Sequence, residues 1–413
     1  MAIRRLLAAA TAPLAAAMAW AQLPQADVPQ LKFINTGANV LHYDSASPAM
    51  RSLFDRWQRV AATGSGNISV VHIGSSHVQA GVLSNTIRTR IAAAYPSLVG
   101  PRGMVFPYSA AAKCNNPPDY RIHCREHMEL TRNVYKDHTH PLGACGIAVT
   151  AADSTAEIQV VLADASVDYA TSRIVVLGHS DQRVAPLVSI DGTAVEASYA
   201  DPRTDRFVFN LHRAVDSFAV ILPCTQGTSF TLTGIYLDNR RPGFTLSSLG
   251  VNGAALNDYL RCRHFVRDLR MLRPDVVVFG IGINDAAAAD FDTALFRSAY
   301  LQLIDSVRAA SPDCAFIFIT NNDSYRRTGR RKYAVNTNGR LAREVFYSLA
   351  DDVQGAVWDQ FEVMGGLRSM DKWRLNGLAQ TDRVHFTRAG YQLLGNLFSN
   401  ALFQAVDNHK PSK

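Results

Sequence analysis

Ile68-Ser69-Val70-Val71-His72-Ile73-Gly74-Ser75-Ser76-His77 is the stretch whose reading decides the fold. Its β-branched run from Ile68 to Ile73 reads as a buried strand, and Gly74-Ser75-Ser76-His77 as a tight turn at the strand's end. A helical pattern follows through Ile87 and Ile91. Upstream, Ser47-Pro48 supplies an N-cap with Pro at the first helical position, and Leu53, Phe54, Trp57 and Val60 recur at helical spacing. Gly64-Ser65-Gly66-Asn67 ends that helix, and residues 22–46 read as an irregular lead-in. After residue 245 the alternation resumes: strand Asp275–Phe279, helix Leu295–Ala310, strand Ala315–Ile319, helix Leu341–Leu349, a short strand near Val357 and a last helix from about Ala389 to Ala405. Strands alternating with helices predict an α/β fold, a parallel sheet covered on both faces in three layers.

Between about residues 110 and 240 helical periodicity fades. Short runs appear at Ala156–Leu162, Arg173–Leu177, Leu187–Ile190, Arg206–Leu211, Phe218–Leu222 and Phe230–Leu237, parted by turn chemistry such as Asp191-Gly192 and Gln226-Gly227. Closely spaced short strands predict an all-β sandwich or jelly roll inserted into the α/β domain. The expected division is a signal peptide at 1–21, a first α/β part at 22–109, the insert at 110–240 and a second α/β part at 241–413.

The chain has 413 residues, 47% of them hydrophobic, enough for a sizeable core, so a disordered chain is excluded. Met1-Ala-Ile-Arg4-Arg5, an apolar run from Leu6 to Ala21 and the small-x-small step Ala19-Trp20-Ala21 read as a cleaved signal. The mature protein is expected to be periplasmic or secreted after cleavage near Ala21, with no stable membrane insertion. Formal charge is +7 and falls by two with Arg4 and Arg5; 42 bases interspersed with 35 acids leave no nucleic-acid footprint. Export permits disulfides among Cys114, Cys124, Cys145, Cys224, Cys262 and Cys314. The expected local bridge joins Cys114 to Cys124 or Cys145, though spacing cannot choose.

In open parallel sheets function gathers at the carboxyl ends of the strands. Those ends read Gly74-Ser75-Ser76-His77, Gly282-Ile283-Asn284-Asp285 and Asn321-Asn322-Asp323-Ser324, followed near the C-terminus by Thr381-Asp382-Arg383-Val384-His385-Phe386. A serine hydroxyl at such a turn is a poor nucleophile until a base takes its proton, which requires a histidine. His385 is the candidate base, and Asp382, three residues earlier, could orient its ring. Asn284 offers a neutral amide donor to a developing oxyanion, and Gly250 a backbone N–H unobstructed by a side chain. Taken alone, each has a plain reading: Ser76 an N-cap, Asp382 and His385 a solvated turn pair, Asn284 a turn residue. Their joint occurrence at strand ends favours chemistry.

Competing motifs fail. Val78 breaks the nucleophile elbow G-x-S-x-G, Asp285 replaces the third glycine of a dinucleotide fingerprint, and no P-loop or H-E-x-x-H is present. His123, Cys124, His127, His138 and His140 match no standard zinc spacing and read as a loop or disulfide region. No metal or organic cofactor is expected.

The four clusters, in this order, resemble the SGNH (GDSL-type) serine esterases, whose Ser, Gly, Asn and His would fall on Ser76, Gly250, Asn284 and His385, with Asp382 completing the triad. The family's Gly-Asp-Ser stands here as Gly74-Ser75-Ser76, so a residue that supports the loop is replaced. A narrower similarity is to the peptidoglycan O-acetylesterases of Gram-negative bacteria. It is carried by His72 to Ala80, Phe106-Pro107-Tyr108-Ser109, Gly250-Val251-Asn252-Gly253-Ala254, and the stretch from Met364-Gly365-Gly366 through Trp373, Gly377-Leu378-Ala379, Asp382, His385-Phe386-Thr387 to Gly390-Tyr391. The resemblance implies an inserted jelly-roll domain like a carbohydrate-binding module. Few aromatics stand out in the insert, so its own sequence gives little support for sugar binding. The expected function is an exported esterase acting on an O-acetylated polysaccharide, peptidoglycan first. An esterase or acetyltransferase on another acetylated glycan or a lipid, and a non-catalytic wall-binding protein, remain alternatives.

Overall fold

The computed structural model describes residues 22–410 except 111–113, 139, 164–165, 202 and 331. The expected signal peptide lies outside the described residues. A six-stranded sheet forms the centre, in the order Leu41–Tyr43, Ala356–Trp358, Ala315–Ile319, Val276–Gly280, Asn67–Gly74 and Gly243–Gly250. Five strands run parallel, and Leu41–Tyr43 pairs antiparallel with Ala356–Trp358 at the edge. That edge strand falls in the stretch read as an irregular lead-in; three residues are too few for a periodic signal.

Successive side chains of the central strands point to opposite faces. Val71, Ile73, Val277, Phe279, Phe316 and Phe318 enter one hydrophobic cluster, while Ile68, Val70, Val276, Val278, Ile317 and Ile319 enter another. Helices Pro48–Thr63, Val82–Ala94 and Arg388–Asn408 supply the second cluster; helices Phe265–Leu272, Thr293–Ala310 and Asn338–Val353 supply the first. Three layers result.

The region between residues 110 and 240 forms two antiparallel sheets. One orders Thr193–Val195, Leu187–Ile190, Ser217–Leu222, Ala156–Leu162 and Tyr120–Cys124. The other orders Tyr199–Asp201, Arg206–Val215, Thr171–Ser180, Ser229–Asp238, Ile147–Ala152 and Glu129–Arg132, with Gly103–Val105 pairing on Ser229–Asp238. Their apolar faces are not a separate core: Val160, Val220, Phe209 and Phe230 share one cluster with Phe279 and Phe318 of the central sheet. A hairpin, Tyr325–Gly329 with Lys332–Val335, was not foreseen from its mostly polar sequence.

The expected disulfide is not formed. All six cysteines are free, five of them buried. Burial pushes the thiols of Cys145, Cys262 and Cys314 up, the second to about 12, so these are small apolar fillers and not reactive thiols.

A buried ion cluster ties the start of the two-sheet region to the α/β part. Asp119 Oδ2 lies 2.5 Å from Arg102 Nε and 3.3 Å from Arg88 Nη1, and all three side chains are at most 3% exposed. Burial alone would raise the Asp119 pKa, but the two guanidinium groups outweigh it and hold it low. Removing the carboxylate leaves two desolvated cations without their counter-charge, so Asp119→Ala is expected to cost about 3–5 kcal/mol in urea unfolding.

Candidate active site

Ser76 opens a four-residue helical turn, Ser76–Gln79, directly after the Asn67–Gly74 strand. Three neighbouring strands end in glycine there: Gly74 pairs with Gly250 on one side and Gly280 on the other. A Cβ on Gly74 would come within 2.8 Å of the Gly280 carbonyl oxygen, and one on Gly250 within 2.8 Å of Val78 backbone carbon. The turn that bears Ser76 therefore sits against bare backbone, which only glycine permits at this spacing.

His385 reaches Ser76 from 309 residues away: Ser76 Oγ lies 2.7 Å from His385 Nε2. His385 Nδ1 lies 2.7 Å from Asp382 Oδ2, and the other carboxylate oxygen accepts the backbone N–H groups of Val384 (2.9 Å) and His385 (3.0 Å). A carboxylate only accepts, so Nδ1 carries the ring proton and Nε2 presents a lone pair to the serine O–H. Burial raises the Asp382 pKa, but the His385 ring and the two N–H groups outweigh it and bring it to about 2. Asp382 is ionised near neutral pH, which fixes this tautomer and would oppose a positive charge on the His385 ring.

The loop carrying Asp382 and His385 is pinned on all sides. Gln380 N–H donates to the His385 carbonyl (2.8 Å), and Asn322 Nδ2 donates to that of Val384 (3.1 Å). Arg383 pairs with Asp371 at 2.7 Å and lies over the rings of Tyr333 and Tyr325 on the hairpin. The third strand end thus serves as a brace: Asn322 holds the loop, and Asp323 accepts the Met370 N–H.

Gly250 and Asn284 come to the same edge. The Asn284 amide nitrogen donates to the Ala254 carbonyl at 2.8 Å, and its second N–H remains for another acceptor. Asp285, next to Asn284, accepts the Leu256 N–H, and Gln79 Oε1, at the end of the Ser76–Gln79 turn, accepts that of Asn252 (2.6 Å), so both elements hold the segment after Gly250. Two phenols that residue spacing did not single out complete the frame. Tyr108 donates to the Gly250 carbonyl at 3.0 Å, and Tyr259 to that of Gly74 at 2.9 Å. Tyr108 belongs to the Phe106–Ser109 block, whose only signal was the family resemblance. Among the described residues no cluster of His, Cys, Asp or Glu could hold a metal ion.

His72, two residues before Gly74 on the same strand, is buried with Nδ1 2.9 Å from Ser84 Oγ. Burial, then Arg88, lowers its pKa to about 3. The unfolded chain takes up a proton below about 6.5 while the folded one does not until about 3, so this histidine's contribution to stability falls as pH drops between those values.

Residues 230–393 match the model of the GDSL-like lipase/acylhydrolase family; the match begins after most of the inserted strands and so includes Gly250, Asn284, Asp382 and His385 but not Ser76. No curated protein matches the sequence significantly. Among solved structures, a peptidoglycan O-acetylesterase is similar at 20% identity, over 89% of this chain and 99% of that one, with TM-score 0.72. A lipase/acylhydrolase from Enterococcus faecalis is 22% identical over 41% of this chain and 80% of its own (TM-score 0.31). A catalytic mutant of an acetylxylan esterase from Geobacillus stearothermophilus is 19% identical over 41% and 75% (TM-score 0.30).

Two outcomes follow from this geometry. Asp382→Asn will lower kcat for an activated acetyl ester by roughly 10²- to 10⁴-fold with KM little changed, because the wrong tautomer then faces Ser76. In urea titrations at several pH values, the stability difference between wild type and His72→Gln will shrink by up to about 1.4 kcal/mol per unit as pH falls from 6.5 towards 4. Asp285 and Asp323, which burial raises to about 6, titrate in the opposite sense but equally in both proteins. The match over residues 230–393 and the fold shared with a peptidoglycan O-acetylesterase together support a carboxylic ester hydrolase similar to the GDSL-like (SGNH) acylhydrolases.

Proposed function

We propose that the chain is an exported serine esterase that removes O-acetyl groups from peptidoglycan, on its muramic acid residues, through an acetyl-serine intermediate. The observation that carries this reading is the unbroken hydrogen-bonded chain Ser76–His385–Asp382, both contacts at 2.7 Å. Ser76 Oγ attacks the acetyl carbonyl carbon while its proton passes to His385 Nε2. The Ser76 and Gly250 backbone N–H groups and the Asn284 amide receive the oxyanion. On collapse, His385 returns the proton to the departing sugar oxygen. Water then attacks the acetyl-serine with His385 again as base, releasing acetate and restoring the hydroxyl.

The choice of substrate leans on the similar peptidoglycan O-acetylesterase, whose fold this chain shares over nearly its whole length. The inserted segment, 110–240, is assigned as a jelly-roll module that shapes the glycan-binding side of the cleft. Export rests on the N-terminal reading Arg4-Arg5, apolar run and Ala19-Trp20-Ala21; no described helix is long and apolar enough to cross a membrane.

Ser76→Ala is expected to cut hydrolysis of p-nitrophenyl acetate by about 10⁴-fold or more with the circular dichroism spectrum unchanged. Wild type should release acetate from O-acetylated peptidoglycan faster than from acetylated xylan or longer-chain esters. A fully active Ser76→Ala protein refutes the mechanism; a preference for xylan or long acyl chains refutes the substrate.

A further inference from the structure

His77 follows the nucleophile and takes no part in the triad, yet lies against it. Its ring centroid is 5.3 Å from that of His385, 5.8 Å from Phe386 and 5.7 Å from Tyr391. Its Nδ1 lies 2.8 Å from the Tyr391 hydroxyl. Burial, followed by the nearby His385, lowers its pKa to about 3, against a smaller upward pull from Asp382. His77 is therefore neutral, which suits its place: a second cation there would oppose the imidazolium that forms on His385.

A neutral imidazole has one N–H and one lone pair. The Tyr391 phenol, 2.8 Å from His77 Nδ1, can donate its O–H to that nitrogen. The His77 proton then sits on Nε2. That nitrogen is buried and has no hydrogen-bond partner among the described residues, and the same holds for His72 Nε2 and Asn321 Nδ2. His72, His77 and Asn321 all line one cavity of about 20 Å³ beside the nucleophile turn. Gly280 helps keep it open, since a Cβ there would come within 2.9 Å of His72 Nε2.

We infer that this cavity is a built site for one water molecule, shared by His77, His72 and Asn321, and that His77 so held is a positioning residue for His385. The valences close. The water accepts from His77 Nε2–H and Asn321 Nδ2–H and donates to His72 Nε2, whose ring places its own proton on Nδ1 towards Ser84 Oγ. Three bonds are typical of a buried water, and the volume suffices for one. The water thereby fixes the His77 ring, and that ring forms one wall of the slot in which His385 must stand to reach Ser76. The kinetic part of this inference rests on the esterase reading; the water site does not.

Diffraction at a resolution that shows ordered solvent tests the site: density within hydrogen-bond distance of the three nitrogens is expected, and a dry cavity overturns it. Kinetics with p-nitrophenyl acetate test the positioning. His77→Leu should lower kcat roughly 10- to 100-fold with KM within about twofold. His77→Gln, whose amide N–H can reach the water, should recover most of that loss, and Asn321→Leu should fall in the direction of His77→Leu. Wild-type kcat in His77→Leu, or a glutamine variant no better than leucine at equal thermal stability, overturns the role. Wild type that fails to hydrolyse the ester sinks the esterase reading instead, and the water site is then judged by diffraction alone.

Discussion

The structure depends on one close approach of backbone to backbone. Where the strands Gly243–Gly250, Asn67–Gly74 and Val276–Gly280 end side by side, each ends in glycine, and the turn that bears Ser76 packs into the space their missing side chains leave. A single methyl at Gly74 or Gly250 would meet main-chain atoms that cannot yield without moving the nucleophile. Around this bare edge the polar frame is arranged: Tyr259 on the Gly74 carbonyl, Tyr108 on that of Gly250, Gln79 on the Asn252 N–H.

The second constraint is how segments 309 residues apart meet at 2.7 Å. The helix Val82–Ala94 follows the nucleophile turn, and the helix Arg388–Asn408 follows His385. These two helices pack together, and Gly395 lets them approach so closely that a Cβ there would lie 2.6 Å from Thr86 Cβ. Helix packing in the apolar cluster behind them thus brings serine and histidine together, and the local contacts around Asp382 and His385 place and orient the ring.

Much of this was legible in the sequence because periodicity and strand-end chemistry coincide. Ala315–Ile319, Ala156–Leu162 and Leu187–Ile190 are strands with the bounds their apolar runs predict. Ser76, Asp382 and His385 could be paired in advance because only a base makes a serine hydroxyl reactive. What stayed hidden depends on tertiary contact. The edge strand Leu41–Tyr43 takes its structure from Ala356–Trp358, and the hairpin Tyr325–Val335 is too polar to announce itself. Tyr259 lies in an ordinary helical stretch, so its grip on the Gly74 carbonyl is visible only once the chain is folded. The cysteines misled for a related reason: spacing permits a bridge, whereas the fold leaves all six thiols free.

The apolar cluster that runs from the central sheet into both antiparallel sheets has a mechanical consequence. An appended module on a flexible tether can cast about for its ligand independently of the catalytic part. Here Phe209 and Phe230 lie in one cluster with Phe279, and Asp119 is clamped between Arg88 and Arg102, so the described residues of the two-sheet region are packed onto the α/β part as one body. The surface that the two parts share therefore keeps one shape, and a molecule lying across it has to adapt to the protein.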